Sequence, residues 1–131
     1  MSRSDNTASG VSIESPFIDT LGVQLVKARD GESEVRMPLQ NQHMNTWGIA
    51  HGGVTMTLLD ASLALAACSV AGDGIGVVTV EMKVNFMQPD AANCAATAAC
   101  CITPPRWPIA KARSATAKAT SSRRRSARSS T

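Results

Sequence analysis

The segment from Gly52 to about Ala71 constrains the fold of this chain more than any other. Its apolar residues occupy almost every face of a helix: Val54, Met56, Leu58, Leu59, Leu63, Leu65, Ala66 and Ala67. A helix that is apolar nearly all round has to be covered by other parts of a protein. The sequence therefore predicts a central, buried helix.

Two elements are predicted before this helix. Residues 15–21 are typical of a short helical turn, with Ser15 as N-cap, Pro16 at the first position and Gly22 as the stop. Residues 23–28 and 34–39 show alternating apolar residues on either side of Asp30-Gly31. This pattern predicts two strands joined in a β-hairpin.

The regions on either side of the central helix differ in pattern. Residues 40–51 have no apolar periodicity, and their asparagines and Gly48 predict an irregular loop, where binding groups are often displayed. Residues 78–86 alternate strictly between apolar and polar side chains until Pro89 ends the run. This alternation predicts a long, half-buried strand.

Composition changes at residue 90. Residues 1–89 hold five basic and nine acidic residues, whereas residues 90–131 hold eight basic residues, one acid, and no Leu, Val, Met, Phe or Gly. We therefore divide the chain into a polar, disordered N-terminus (1–14), a folded core (15–89) and an Ala/Ser/Arg-rich tail (90–131). The tail is expected to be poorly ordered or weakly helical.

The tail has two interpretations. It can be a natural basic extension, although Trp107 is its only aromatic residue and no recognition fold accompanies it, so no nucleic-acid partner is expected. Alternatively, the reading frame shifts shortly after Pro89. With suitable synonymous codons, the DNA that encodes residues 101–128 can also be read in the frame that begins one base earlier. Read in that frame, it encodes a segment that alternates like paired strands and contains a DGEG turn. Sequencing the coding DNA distinguishes the two.

Other features exclude several classes of protein. No apolar run reaches the roughly 18 residues of a membrane-spanning helix, because residues 54–71 include Asp60 and hydroxyl side chains. The first residues contain no apolar signal core, so we expect a cytoplasmic protein with no membrane partner. The four cysteines lack metal-binding or disulfide spacing, so we expect reduced thiols and no metal or other cofactor.

Candidate functional residues lie around the start of the central helix. Gly52 and Gly53 leave the free N–H groups of the first turn unshielded by a Cβ, so a carbonyl oxygen can approach them. A Gly-Gly pair alone is more often an ordinary loop feature. Asp60 lies among leucines, where burying a carboxylate without partners costs free energy. Two explanations are equally good: Asp60 lies on a solvent-exposed strip of the helix, or it has a catalytic role. His51 alone is more typical of a structural hydrogen bond.

Taken together, these residues resemble the hotdog-fold acyl-CoA thioesterases of the phenylacetic-acid-degradation (PaaI-like) type. The matching pattern places Asn45, Gly48, His51, Gly52, Gly53, Leu58 and Asp60 in order, followed by Thr79-Val80-Glu81 and Asn85-Phe86-Met87-x-Pro89. The resemblance covers roughly residues 15–89. After Pro89 the family continues with about three more strands, which we expect to be missing or aberrant here.

The resemblance implies an α+β hotdog fold, in which an antiparallel sheet wraps around the central helix, and hydrolysis of acyl-CoA thioesters by dimers or dimers of dimers. By the same resemblance, Asp60 is the catalytic carboxylate and the Gly52 N–H polarises the thioester carbonyl. Asn45 and His51 would position water and substrate, while Gly53 and Thr79 would contact substrate.

The spacing of two of these residues predicts a dimer. Gly52 and Asp60 are eight residues apart, which is about 12 Å along one helix. One carbonyl cannot touch both, so two subunits must each contribute one group if both act on the same thioester. The substrate would carry an arylacetyl or medium-chain acyl group. The alternatives are a non-catalytic acyl-CoA-binding hotdog protein and a chain inactivated by its altered C-terminus.

Overall fold

The computed structural model describes residues 7–8, 10–72, 74–89, 93–100 and, for the backbone, 114–116. Its elements are β1 (Thr7–Ala8), β2 (Val11–Ser12), α1 (Pro16–Leu21), β3 (Gln24–Arg29), β4 (Glu32–Pro38), a 3₁₀ turn (Asn41–His43), α2 (Gly52–Ala71), β5 (Asn93–Ala99) and β6 (Ser114–Thr116). Strands β3 to β6 form an antiparallel sheet in that order, and α2 packs against β4 and β5. The predicted antiparallel sheet with one long central helix is confirmed.

The predicted hairpin is the β3–β4 pair. Asp30 and Gly31 form its turn with φ of 54° and 79°, the left-handed conformations that a tight two-residue hairpin turn requires. The turn also contacts two other elements: the Gly31 N–H donates to Ser69 Oγ of α2 (2.9 Å), and the Cys100 N–H donates to the Gly31 carbonyl (2.6 Å). A Cβ at position 31 would lie 3.1 Å from the Cys100 carbonyl oxygen, so glycine suits both the turn and the contact.

The short helix α1 begins and ends as predicted. Ser15 Oγ accepts a hydrogen bond from the Ile18 N–H, Pro16 occupies the first turn, and Gly22 ends the helix with a φ of 73°. Ile18 is buried in the core. The helix therefore covers one end of the core next to α2.

The central helix α2 is confirmed over Gly52–Ala71. Its buried residues are Val54, Leu58, Leu59, Ser62, Leu65, Ala66 and Ala67. Contrary to the expectation from Asp60 and the hydroxyl side chains, α2 does have the length and apolar composition of a membrane-spanning helix. Its buried face packs on the sheet as a core helix does, while Met56 and Val70 on other faces remain over two-fifths exposed.

The predicted disorder of residues 1–14 is wrong for part of that range. Thr7–Ala8 and Val11–Ser12 pair as a small antiparallel ribbon, and Gly10 lies between them with a φ of 82°. Val11 and Ile13 pack against the core. Their apolar surface stabilises a segment that composition alone describes as polar.

The predicted strand at residues 78–86 does not form. Met82 and Val84 pack against the core, but Val78 and Val80 are 88% and 85% exposed, and residues 74–89 have no β-bridge to any other described residue. A strand exists only where a neighbour satisfies its N–H and C=O groups. Met82 and Val84 thus face the core whereas Val78 and Val80 do not, and the described residues of the chain supply no pairing partner for a strand here.

The expectation of a poorly ordered or weakly helical tail is wrong at residues 93–99 and 114–116, which form strands β5 and β6. All seven residues of β5 pair with β4, from Pro38↔Asn93 to Glu32↔Ala99. Cys94, Ala96 and Ala98 point into the core, where small side chains leave room for α2. The prediction for residues 101–113 and 117–131 concerns positions outside the residues that the structure describes.

Candidate active site at the ends of one helical face

His51 is the N-cap of α2. Its Nδ1 accepts a hydrogen bond from the Gly53 N–H (2.9 Å) and its own N–H donates to the His43 carbonyl (2.8 Å). Because Nδ1 is an acceptor here, the proton of the neutral ring belongs on Nε2. His51 is exposed, so that Nε2–H faces solvent as a donor.

The two glycines that follow differ in availability. The Gly53 N–H already donates to His51 Nδ1, so this hydrogen-bond donor is used within the chain. The Gly52 N–H has no hydrogen-bond partner among the described residues. It lies in the first turn of α2, where unpaired N–H groups and the positive end of the helix dipole favour a carbonyl oxygen. Gly52 is therefore the donor that the structure leaves open.

The Phe86 ring lies beside Gly52. A Cβ built on Gly52 would be 3.5 Å and 3.7 Å from two of its ring carbons, an ordinary contact distance. An aromatic ring therefore lies next to the residue that carries the open N–H. Phe86 belongs to the segment of residues 74–89, which thus contacts both ends of the candidate site.

Asn45 organises the loop before α2. Its Oδ1 accepts from the Trp47 N–H (2.9 Å) and the Ile49 N–H (3.4 Å), and its own N–H donates to the Ile49 carbonyl (2.8 Å). The carboxamide oxygen is thus used within the loop. The Nδ2 group has no partner among the described residues and can donate to a ligand.

The sequence gives no signal for His43, which is almost fully buried in this loop. Its Nδ1 accepts from the Gln40 N–H (2.9 Å) and its carbonyl accepts from His51, while Nε2 has no hydrogen-bond partner among the described residues. His43 therefore holds the two ends of the loop together. A histidine in a polar, aperiodic segment gives no indication of burial, so the role is visible only in the fold.

The second part of the candidate site is the contact between Asp60 and Thr79. Thr79 Oγ1 donates to Asp60 Oδ1 at 2.5 Å. Asp60 is half-buried rather than enclosed among the leucines, and its Oδ2 has no hydrogen-bond partner among the described residues. One carboxylate oxygen is thus held while the other is available to a water molecule.

Asp60 also lines a cleft of about 620 Å³ between α1 and α2. The α2 residues that line it are Met56, Thr57, Asp60, Ala61, Ala64, Leu65 and Cys68. The opposite wall includes Ile13, Phe17 and Ile18, and Val77 and Met82 close one side. The volume is typical of a small-molecule site.

The structure brings Asp60 to Thr79 and His51 to Gly53, beside Gly52, but it does not bring these two groups of residues together in one chain. Gly52 and Asp60 both lie on α2, whose rise per residue keeps them about 12 Å apart. The predicted catalytic groups of one chain thus lie in two separate places along α2.

The thioesterase superfamily matches residues 48–100 of this chain. Similarity to the family thus extends past Pro89 to the end of β5, further than the sequence predicts. Acyl-coenzyme A thioesterase 13 of Mus musculus is 36% identical over 67 residues, which are 51% of this chain and 47% of that protein. The chain spans about half the length of the curated relatives it matches.

Solved structures support the same relationship. A conserved protein of Pseudomonas aeruginosa is similar with a TM-score of 0.66 and 30% identity, covering 71% of this chain and 74% of that one. The PaaI protein from the phenylacetic acid degradation operon of E. coli has a TM-score of 0.61 and 25% identity, covering 68% and 64%. With its antiparallel sheet around one long helix and the motif that leads into that helix, this chain belongs to the thioesterase superfamily and has the hotdog fold.

Proposed function

We propose that this protein hydrolyses acyl-CoA thioesters to a free acid and CoA, acting as a homodimer or a dimer of dimers. The observation that carries the proposal is the Thr79–Asp60 hydrogen bond at the mouth of an apolar cleft. It orients a carboxylate beside a space that can hold an acyl group. The acyl-CoA thioesterase relatives supply the reaction class.

The chemistry needs few groups. Asp60, held through Oδ1, activates a water molecule or attacks the thioester carbonyl itself. The Gly52 N–H stabilises the negative charge that develops on the carbonyl oxygen. The sulfur leaves without a strong general acid because an ordinary thiol has a pKa of only about 8.5. Water adds to the acyl carbon, the C–S bond breaks, and CoA leaves as its thiol.

The other loop residues serve this reaction indirectly. Asn45 keeps its Nδ2 donors free toward the ligand, and His51 caps the helix whose first N–H acts on the carbonyl. Both residues therefore position the Gly52 donor and the substrate.

A second subunit completes the site in this proposal. Gly52 and Asp60 of one chain are too far apart for one carbonyl, so the Asp60 of one protomer works with the Gly52 of its partner. The exposed apolar side chains of Val78, Val80 and Met87 support an interface there, as does the lack of any β-bridge between residues 74–89 and the rest of the described chain. Such a patch is costly to leave in water.

Thiol release from a series of acyl-CoA esters tests the proposal. The wild type should release thiol, and Asp60→Asn should lower kcat by about 10²- to 10⁴-fold, because the amide keeps the Thr79 contact but cannot act as base or nucleophile. Asp30→Asn is the matched control, since it makes the same change in the hairpin turn, where Asn tolerates a positive φ. Acyl-CoA binding without thiol release would instead support the non-catalytic alternative.

A further inference from the structure

We infer that the cleft between α1 and α2 is a groove that selects linear, uncharged acyl chains of medium length. Ala64 and Cys68 set the length of the acyl chain that this groove accepts. This inference rests on the proposed function, and it adds the class of acyl group and the residues that select it.

Asp60, Ala64 and Cys68 follow one another at four-residue intervals and therefore share a face of α2. All three line the cleft. An acyl chain whose carbonyl carbon lies at Asp60 can run along this face past Ala64 to Cys68. The small side chain at position 64 leaves the groove open at its midpoint.

The length of the groove can be estimated from the helix. Eight residues separate Asp60 from Cys68, which is about 12 Å at 1.5 Å per residue. With C–C bonds of about 1.5 Å in a zigzag chain, this distance corresponds to roughly eight to ten carbons. Ala64 lies halfway along, so a larger side chain there would stop the acyl chain after about four or five carbons.

The walls select the chemistry of the acyl group. Ile13, Phe17 and Ile18 line the side opposite α2, and burial raises the pKa of the Cys68 thiol, so the far end stays uncharged. Glu14 and Asp60 are the charged groups among the described lining residues. Both are acids, so the groove disfavours acyl groups that end in a carboxylate.

Ala64→Leu tests the groove in the full-length protein. We expect kcat/KM for decanoyl-CoA, relative to butyryl-CoA, to fall about tenfold or more, because a few buried methylenes carry this much discrimination. Ala71→Leu, the same change at the end of α2 outside the cleft, should leave the ratio unchanged. An adipoyl-CoA substrate should be poor for the wild type.

A second readout does not depend on turnover. In Asp60→Asn, decanoyl-CoA should protect Cys68 from alkylation by iodoacetamide, and butyryl-CoA should not. An unchanged decanoyl-to-butyryl ratio in Ala64→Leu, a preference for phenylacetyl-CoA, or equal protection by both esters would overturn the groove. Failure of the wild type to hydrolyse any ester would instead contradict the proposed function, and the protection experiment would still test the groove.

Discussion

Thr79 donates a hydrogen bond to Asp60 Oδ1 across 19 residues of sequence and so connects the segment after α2 to the middle of that helix. The contact leaves Oδ2 as the carboxylate oxygen open to water. The group beside the acid is a hydroxyl and not a cation, and Asp60 forms no salt bridge with any other described residue.

Replacing Thr79 by valine should lower kcat about tenfold, the value of one hydrogen bond of about 1.4 kcal/mol. Valine has the same shape but cannot donate, so the Asp60 carboxylate loses the contact that orients it. Thr79→Ser retains the donor and should restore most of kcat. Steady-state thiol release measures both, and equal rates for the two variants would show that the contact does not serve catalysis.

Gly52 can lose its N–H with little damage to α2. Proline is tolerated at the first helical position, and His51 already has the extended conformation (φ −61°, ψ 136°) that a residue before proline adopts. We expect Gly52→Pro to lower kcat by about 10²- to 10³-fold through loss of the donor. Gly52→Ala keeps the donor and adds a Cβ at ordinary distance from Phe86, so it should lose much less.

Circular dichroism should show the same helix content in both Gly52 variants. If Gly52→Ala and Gly52→Pro were equally impaired, access to the site and not the N–H donor would explain the loss.

Subunit mixing tests whether each site is shared. In a hybrid of Gly52→Pro and Asp60→Asn chains, one site has both mutations and the other has neither. Co-expression of the two inactive chains at equal levels should restore about a quarter of wild-type activity, because half of the dimers are hybrids with one intact site of two. Activity of the purified hybrid no higher than that of either parent would place both groups in one chain.

The Cys68 thiol makes the stability of the folded protein depend on pH in the alkaline range. Burial raises the pKa of its thiol, so the folded chain holds this proton more tightly than the unfolded chain. The free energy of unfolding should therefore fall as the pH rises from the unfolded to the folded value of this pKa. Urea unfolding at pH 7 and pH 9.5 should show a larger decrease for the wild type than for Cys68→Ala. Equal decreases would contradict the assignment to Cys68.

The elements that could be predicted from the sequence are those with strong local patterns. The all-round apolar surface of residues 52–71 indicated the central helix, and Asp30-Gly31 indicated the hairpin because few other pairs adopt that turn. Strand β5 was missed because alanine occurs on both of its faces, so the alternation of inward and outward residues cannot be seen. The alternation at residues 78–86 predicts a strand, but pairing depends on a partner that local sequence does not specify.

The candidate site was only partly predictable. Its residues came from a resemblance, since neither Asp60 nor Thr79 is informative alone and their contact depends on how residues 74–89 return along α2. The cleft walls on α1 and the buried His43 have no periodic signal. Which of the two N–H groups, that of Gly52 or that of Gly53, is open to a ligand is visible only from the way His51 caps the helix.

The contacts of Gly31 have a consequence for how the chain comes apart. This residue ties the hairpin turn to Ser69 near the end of α2 and to Cys100 directly after β5. Three elements distant in sequence are thus joined through one residue, so we expect that end of the helix to fray only when the hairpin turn and β5 open with it. Amide protons there should exchange with solvent as one cooperative group.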